Sequence, residues 1–198
     1  MKLVLATQNP KKLKEMNEIL RHLGVEVVSE AELGVRIEVE ETGETFTDNA
    51  RLKATAVMKA TGLPAVADDS GLCVDALNGG PGVYSARFGG EGLDDKGRYT
   101  LLLEMLRGQT DRTAHFHTSI VCAFPNGDEL VCEGECPGTI AFAPMGEGGF
   151  GYDPVFFVPE LRKTFGQLTA EEKASVSHRG KALRAFAAAL DDYLKGNE

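Results

Sequence analysis

The sequence predicts a mixed α/β protein, and three observations carry the prediction. A short apolar strand, Lys2 to Thr7, meets a polar break at Gln8-Asn9-Pro10 and then a helical stripe of Leu13, Met16, Leu20 and Leu23. A second helical pattern, about Thr47 to Thr61, leads into an apolar strand at Pro64 to Ala67. From Arg112 to Phe124 the pattern changes to strict alternation, and after the Asn126-Gly127 turn a partner strand returns from Glu129 to Phe142. Such an antiparallel ribbon makes the sheet mixed and argues against a simple doubly wound fold.

Each element has a local reason. Pro10 suits a first helical position because its missing N–H is no loss there, and Gly24 ends the helix. Val25 to Val28 reads as a second strand, followed by the acidic run Glu38 to Glu44. The next helix has Thr45 or Thr47 as its cap and Ala50, Ala54, Val57, Met58 and Thr61 as its inner stripe. Asn49 and Lys53 lie one turn apart on another of its faces. The strand at Pro64 is expected to stop at a turn, Asp68-Asp69-Ser70-Gly71, before a further strand, Leu72 to Leu77. A glycine loop at residues 78–82 and a segment carrying Tyr84 and Arg87 lead to a helix at about Leu93 to Leu106. That segment reads as a mobile substrate loop or as a plain surface connection. Val155 to Val158 is a late strand, Thr169 and Glu172 form a capping box, and a long helix buries Leu183, Phe186, Ala187, Leu190 and Leu194.

Composition narrows the function. Among 198 residues, 42% are hydrophobic and 26% charged, as in soluble globular proteins, and the formal net charge of -9 disfavours a nucleic-acid-gripping surface. An anionic ligand would therefore need locally gathered lysines or a metal. The first apolar run is too short for a secretory signal or a membrane span, so a cytoplasmic location with Cys73, Cys122, Cys132 and Cys136 reduced is expected. Their spacing does not suit zinc, and His115 and His117 read as strand-surface residues.

Four stretches carry chemistry. Adjacent Asp68 and Asp69 repel unless they are solvated or bridged by a cation, and the acidic run at 38–44 could complete an oxygen site for Mg²⁺. Thr7 to Lys12 is either a phosphate cradle at a helix N-terminus or a helix start with solvated lysines; no P-loop motif occurs. The glycines and aromatics of 146–154 suit a flat ligand or a bulged strand entry. Lys173, His178 and Arg179 offer donors to an anionic or carbonyl-bearing ligand, or simply surface charge.

Six blocks in order, Thr7-Gln8-Asn9-Pro10-Lys11-Lys12, Glu40-Glu41-Thr42-Gly43, Ala67 to Leu72, Gly79 to Arg87, Gly149 to Pro154, and Glu172-Lys173 with Ser177-His178-Arg179, resemble the inosine/xanthosine triphosphate pyrophosphatase, or HAM1-like, family. The resemblance implies a single domain over 1–198 whose elongated central sheet and flanking helices form two lobes around a cleft, and a homodimer. It also implies Mg²⁺-dependent hydrolysis of ITP, dITP or XTP to monophosphate and pyrophosphate. Thr7, Gln8, Asn9, Pro10, Lys11 and Lys12 would bind phosphates, and Glu40 or Glu41 with Asp68 or Asp69 the metal; on charge grounds Lys11, Lys12, Lys53 and Lys173 can neutralise the phosphate that the metal does not. Asp69 would be the general base and Ser70 would touch substrate. Phe150, Gly151, Tyr152, Asp153, Lys173, His178 and Arg179 would enclose base and sugar. Gln8 departs from a position where many members have glycine. The rivals are a nucleotide-binding module without catalysis and a hydrolase of another bond or nucleotide.

Overall fold

The computed structural model describes residues 1–7 and 9–196. Seven strands form one sheet in the order β2-β1-β3-β4-β5-β6-β7. They are β1 Lys2–Leu5, β2 Glu26–Ser29, β3 Ala65–Val74, β4 Thr113–Ala123, β5 Glu129–Ile140, β6 Phe156–Val158 and β7 Lys163–Thr164. β1 runs parallel to β2 and β3, whereas β6 is antiparallel to β5 and β7, so the sheet is mixed as the patterning requires. The α-helices are α1 Pro10–Leu20, α2 Phe46–Thr61, α3 Asp95–Met105, α4 Ala170–Val176 and α5 His178–Gly196. No helix among the described residues is long and apolar enough to cross a membrane.

The chain divides into two compact units. The first comprises Met1–Asp69, Thr118–Gly134 and the chain from Lys181 onward; the second comprises Ser70–His117 and Glu135–Gly180. In the first unit Leu3, Leu5 and Val66 meet Met16 and Leu20 of α1, Ile120 of β4, and Phe186 and Leu190 of α5. All eight side chains are fully buried, which makes this a principal source of stability. Ala50 and Ala54 bring α2 down on Ala67, Val121 and Ala123. Small side chains allow that close approach, which lets the polar face of α2 reach Asp69 in the middle of the same strand.

In the second unit Leu72, Val74, Leu102, Leu106, Ile140, Phe156 and Phe165 form the core. The segment Gly82–Arg87 is a 3-10 helix, and Ser85 ties it to β3 by accepting the Leu72 N–H at 2.9 Å. It is thus an anchored connection, with Arg87 stacked on the exposed Tyr84 ring.

The main departure from expectation is β3. No turn interrupts it at Asp68-Asp69-Ser70-Gly71; the strand continues to Val74, and Asp75–Leu77 is a 3-10 helix. Asp, Ser and Gly favour turns when judged locally, but this strand lies between β1 and β4, and pairing on both sides overrides that preference. The two-residue strand β7 carries no periodicity of its own, which is why sequence pattern does not reveal it.

Arg112, only 8% exposed, donates to the carbonyls of Ile140 at 2.6 Å, Leu106 at 3.1 Å and Ala141 at 2.9 Å. A single ammonium lacks the planar fork that reaches three separate acceptors. Arg112→Lys should therefore lower stability by about 2 kcal/mol in urea unfolding, the range for leaving buried acceptors unpaired. An unchanged midpoint would show that the fork is dispensable.

Candidate active site

In the first unit, acids from two distant segments converge on one lysine. Lys53, on the polar face of α2, places Nζ 2.7 Å from Glu41 Oε1 and 3.4 Å from Asp69 Oδ1. Because Asp69 lies within a strand, its neighbour Asp68 projects to the opposite face, where Lys12 of α1 binds Asp68 Oδ2 at 2.7 Å. The repulsion expected of adjacent acids is thus relieved by the pleat and by a separate ammonium on each side. Glu40 is exposed while Glu41 turns in to Lys53, so of the two glutamates it is Glu41 that joins the cluster.

Electrostatics follow from this packing. Burial pushes the Asp69 carboxyl above its ordinary value; Lys53 pulls it down, and the charge of Glu41 pushes it up again. Burial alone would lower Lys53, but Asp69 and Glu41, helped by Asp68, outweigh it and hold the ammonium above the usual lysine value. Lys53 is therefore a fixed positive charge.

The residues expected to cradle phosphate open α1. Asn9 caps the helix, its Oδ1 accepting the Lys11 N–H at 3.0 Å, while its own N–H is donated to Thr7 Oγ1 at 3.2 Å. Lys11 is exposed, and Thr7, Asn9 and Pro10 line one side of a pocket of about 450 Å³ that also includes Ser29 and Arg36. Gln8 lies outside the described residues. Ser70 is exposed on β3, one residue beyond Asp69.

The second unit holds another cluster. Asp153 is buried and accepts both the Phe150 N–H and a hydrogen bond from the Lys173 ammonium. Lys173 Nζ stands 4.8 Å from the centre of the exposed Phe150 ring and 5.3 Å from that of Phe165, a cation held over aromatic faces. His178, at the start of α5, stacks on Phe116 with centroids 4.7 Å apart, and Arg179 follows it. Burial raises the Asp153 carboxyl and Lys173 draws it back down. Gly149 is obligatory here: its φ is +77° and a Cβ would collide with the Asp153 carboxylate.

Two expected ligand contacts in this loop are otherwise engaged. Tyr152 is 5% exposed and donates its hydroxyl to the Ser85 carbonyl at 2.7 Å. Burial pushes its phenol up to about 12. Tyr152 thus anchors the loop in the core, because an aromatic that alternates inward is captured by the apolar cluster. The Gly151 N–H is taken by Asp95 Oδ2 at 2.7 Å. The contacts of Asp95 with Gly151, Phe116 with His178 and Phe165 with Lys173 were not legible: a first-turn acid and two core-pattern aromatics carry no chemical signature until the loop and His178 are placed against them.

Lys12→Met would remove an ammonium from the nearly enclosed Asp68 carboxylate. About 2 kcal/mol of stability should be lost, below the full cost for a buried pair because Lys12 is itself partly exposed. Adding Asp68→Leu should restore part of it. Denaturant midpoints of the single and double variants decide; equal midpoints for wild type and Lys12→Met would show the pair contributes nothing.

Residues 3–189 match the model of the Ham1 family. A dITP/XTP pyrophosphatase of Exiguobacterium sp. is 50% identical over 196 residues, covering 99% of this chain and 100% of that protein. A dITP/XTP pyrophosphatase of Thermus thermophilus is 53% identical over 194 residues, covering 97% and 93%. Among solved structures, the Staphylococcus aureus Ham1 protein superposes with a TM-score of 0.91 at 41% identity, over 100% of both chains. A HAM1 protein from Coxiella burnetii gives 0.93 at 44% identity, over 97% of this chain and 99% of that one. With the fold and nearly the full length shared with these proteins, the chain belongs to the Ham1 family.

Proposed function

We propose that the protein hydrolyses ITP, dITP and XTP to the monophosphate and pyrophosphate, with Mg²⁺ as cofactor and Asp69 as general base, and so clears deaminated purine nucleotides. The observation that carries the proposal is the convergence of Glu41 and Asp69 on Lys53. Relatives about half identical over nearly their whole length, named dITP/XTP pyrophosphatases, support the substrate class.

The donor set fits Mg²⁺. Among the described residues no three acidic, histidine or cysteine side chains form a ready-made cage, and Mg²⁺ does not need one. It takes one or two carboxylates and fills its shell with water and phosphate oxygens. Glu41 and Asp69 are the residues that would hold it, whereas Asp68 faces the other way and is matched by Lys12. When bound, the ion neutralises phosphate oxygens and orients the polyphosphate.

The chain's own groups supply the rest. Lys11 and Lys12, with the residues opening α1, take the phosphate charge, and Lys53 steadies the charge that develops as the bond breaks. Asp69 accepts a proton from water as the water oxygen bonds to the α-phosphorus, and the bond from that phosphorus to the bridging oxygen breaks to release pyrophosphate. Its raised proton affinity suits that task. Base recognition falls to Phe150, which offers a ring for stacking, and to Lys173, His178 and Arg179 as donors. A 6-keto purine accepts from them, whereas the 6-amino group of adenine leaves a donor unpaired. The same reading carries a single domain over 1–198, a homodimer and a cytoplasmic location.

The test is pyrophosphate release from ITP, XTP and ATP at equal concentration with Mg²⁺, with products followed by phosphorus NMR. ITP and XTP should exceed ATP by at least about tenfold in kcat/KM, the value of one unpaired donor. Asp69→Asn should retain nucleotide binding and lose on the order of 10²-fold or more in kcat. Orthophosphate as the first product, or equal rates on ATP, would refute the assignment.

A further inference from the structure

Asn49 has no exposed surface, lies beside the acidic cluster, and has no part in the chemistry described above. An amide is tolerated in such a place only when both of its ends are bonded. Its Oδ1 accepts the Gly43 N–H at 2.8 Å, and its Nδ2 donates to Asp69 Oδ2 at 3.3 Å. The orientation of the amide is forced, since a backbone N–H requires the oxygen and the carboxylate then receives the NH₂.

Gly43 is pressed hard against it. A Cβ there would lie 2.6 Å from Asp48 Cβ, 2.7 Å from Asn49 Oδ1 and 2.9 Å from the Asn49 nitrogen. The turn after Glu41 is therefore seated on α2 with no room for a side chain. One helical turn later, Lys53 binds the other Asp69 oxygen and Glu41 itself. Two side chains four residues apart thus grip the two acid-bearing segments at two points each.

We propose that Asn49 is a positioning residue for the pyrophosphatase reaction: it orients the Asp69 carboxylate and holds the Glu41 turn in register with it. The inference rests on the reading of Asp69 as base. A carboxylate with one oxygen on Lys53 alone can swing about that contact; the second tether removes the freedom, and such orientation governs rate far more than binding. Asn49 touches neither water nor nucleotide in this role.

Asn49→Asp keeps the shape and the acceptor for Gly43 but sets a carboxylate oxygen against Asp69. Asn49→Ala removes both tethers, and Gly43→Ala unseats the turn. Each is compared with wild type and Asp69→Asn for kcat and KM on ITP with Mg²⁺, for Mn²⁺ affinity of the nucleotide-free protein by electron paramagnetic resonance, and for Tm. Asn49→Asp should fold with a lowered Tm, because its buried carboxylate faces Asp69, and lose about tenfold to 100-fold in kcat per folded molecule with KM little changed, the range for removing an orienting partner. Asn49→Ala and Gly43→Ala should also weaken Mn²⁺ binding by about tenfold or more. A purely structural Asn49 would lower Tm while leaving kcat per folded molecule and Mn²⁺ affinity unchanged, and that result overturns the proposal. Failure of all three variants to fold overturns it as well, since the amide would then serve the core. An unimpaired Asn49→Asp beside an inactive Asp69→Asn refutes the positioning role alone; wild-type turnover in Asp69→Asn refutes the base assignment itself.

Discussion

Carboxylates withdrawn from water must be matched by positive charge, and the arrangement of the first unit depends on the ammonium of Lys53 meeting that demand. Glu41, Asp68 and Asp69 all act on it, and Asp69 is largely enclosed. Without a cation at this point the burial cost would drive a proton onto one of the acids or force the segment at 41 away from β3. With it, an acidic segment that would otherwise be solvated is drawn onto the sheet. The small residues Ala50 and Ala54 serve the same end, because they set how near α2 comes to β3.

The second unit repeats the device with different surroundings. Asp153 is buried under its own loop, held by the Phe150 N–H and by Lys173, and Lys173 lies against two aromatic faces. An ammonium in that setting keeps its donors in fixed directions, while the exposed Phe150 ring offers a flat apolar surface next to them. Fixed donors beside a flat ring suit the base recognition proposed for this cluster, and lysines beside acids suit the phosphate chemistry proposed for the first. An overall charge of -9 is compatible with an anionic substrate because the lysines stand where the acids have already been matched.

Much of this was legible in the chain. The 3.6-residue stripes of α1, α2 and α5, the alternation of β4, the Asn-Gly turn before β5 and the Thr169 to Glu172 capping box all appear where pattern places them. The mixed sheet followed from the same patterns. Seven of the residues singled out for chemistry do meet: Lys12 with Asp68, Lys53 with Glu41 and Asp69, and Lys173 with Asp153. Local preference fails at 68–71, where turn-forming residues continue a strand, and position in a glycine loop does not show that the Tyr152 ring packs in the core with its hydroxyl on the Ser85 carbonyl.

What the sequence determined by itself is therefore the set of elements and the kinds of chemical group the protein can bring to a ligand, because periodicity and residue type act over a few neighbouring positions. Only the tertiary structure decided that Asp68 and Asp69 face opposite ways, that Glu41 rather than Glu40 turns inward, and that Asn49 joins Gly43 to Asp69. Those outcomes depend on strand pairing and on contacts between residues far apart in the chain. No local pattern encodes which distant partner will be present when a side chain is buried.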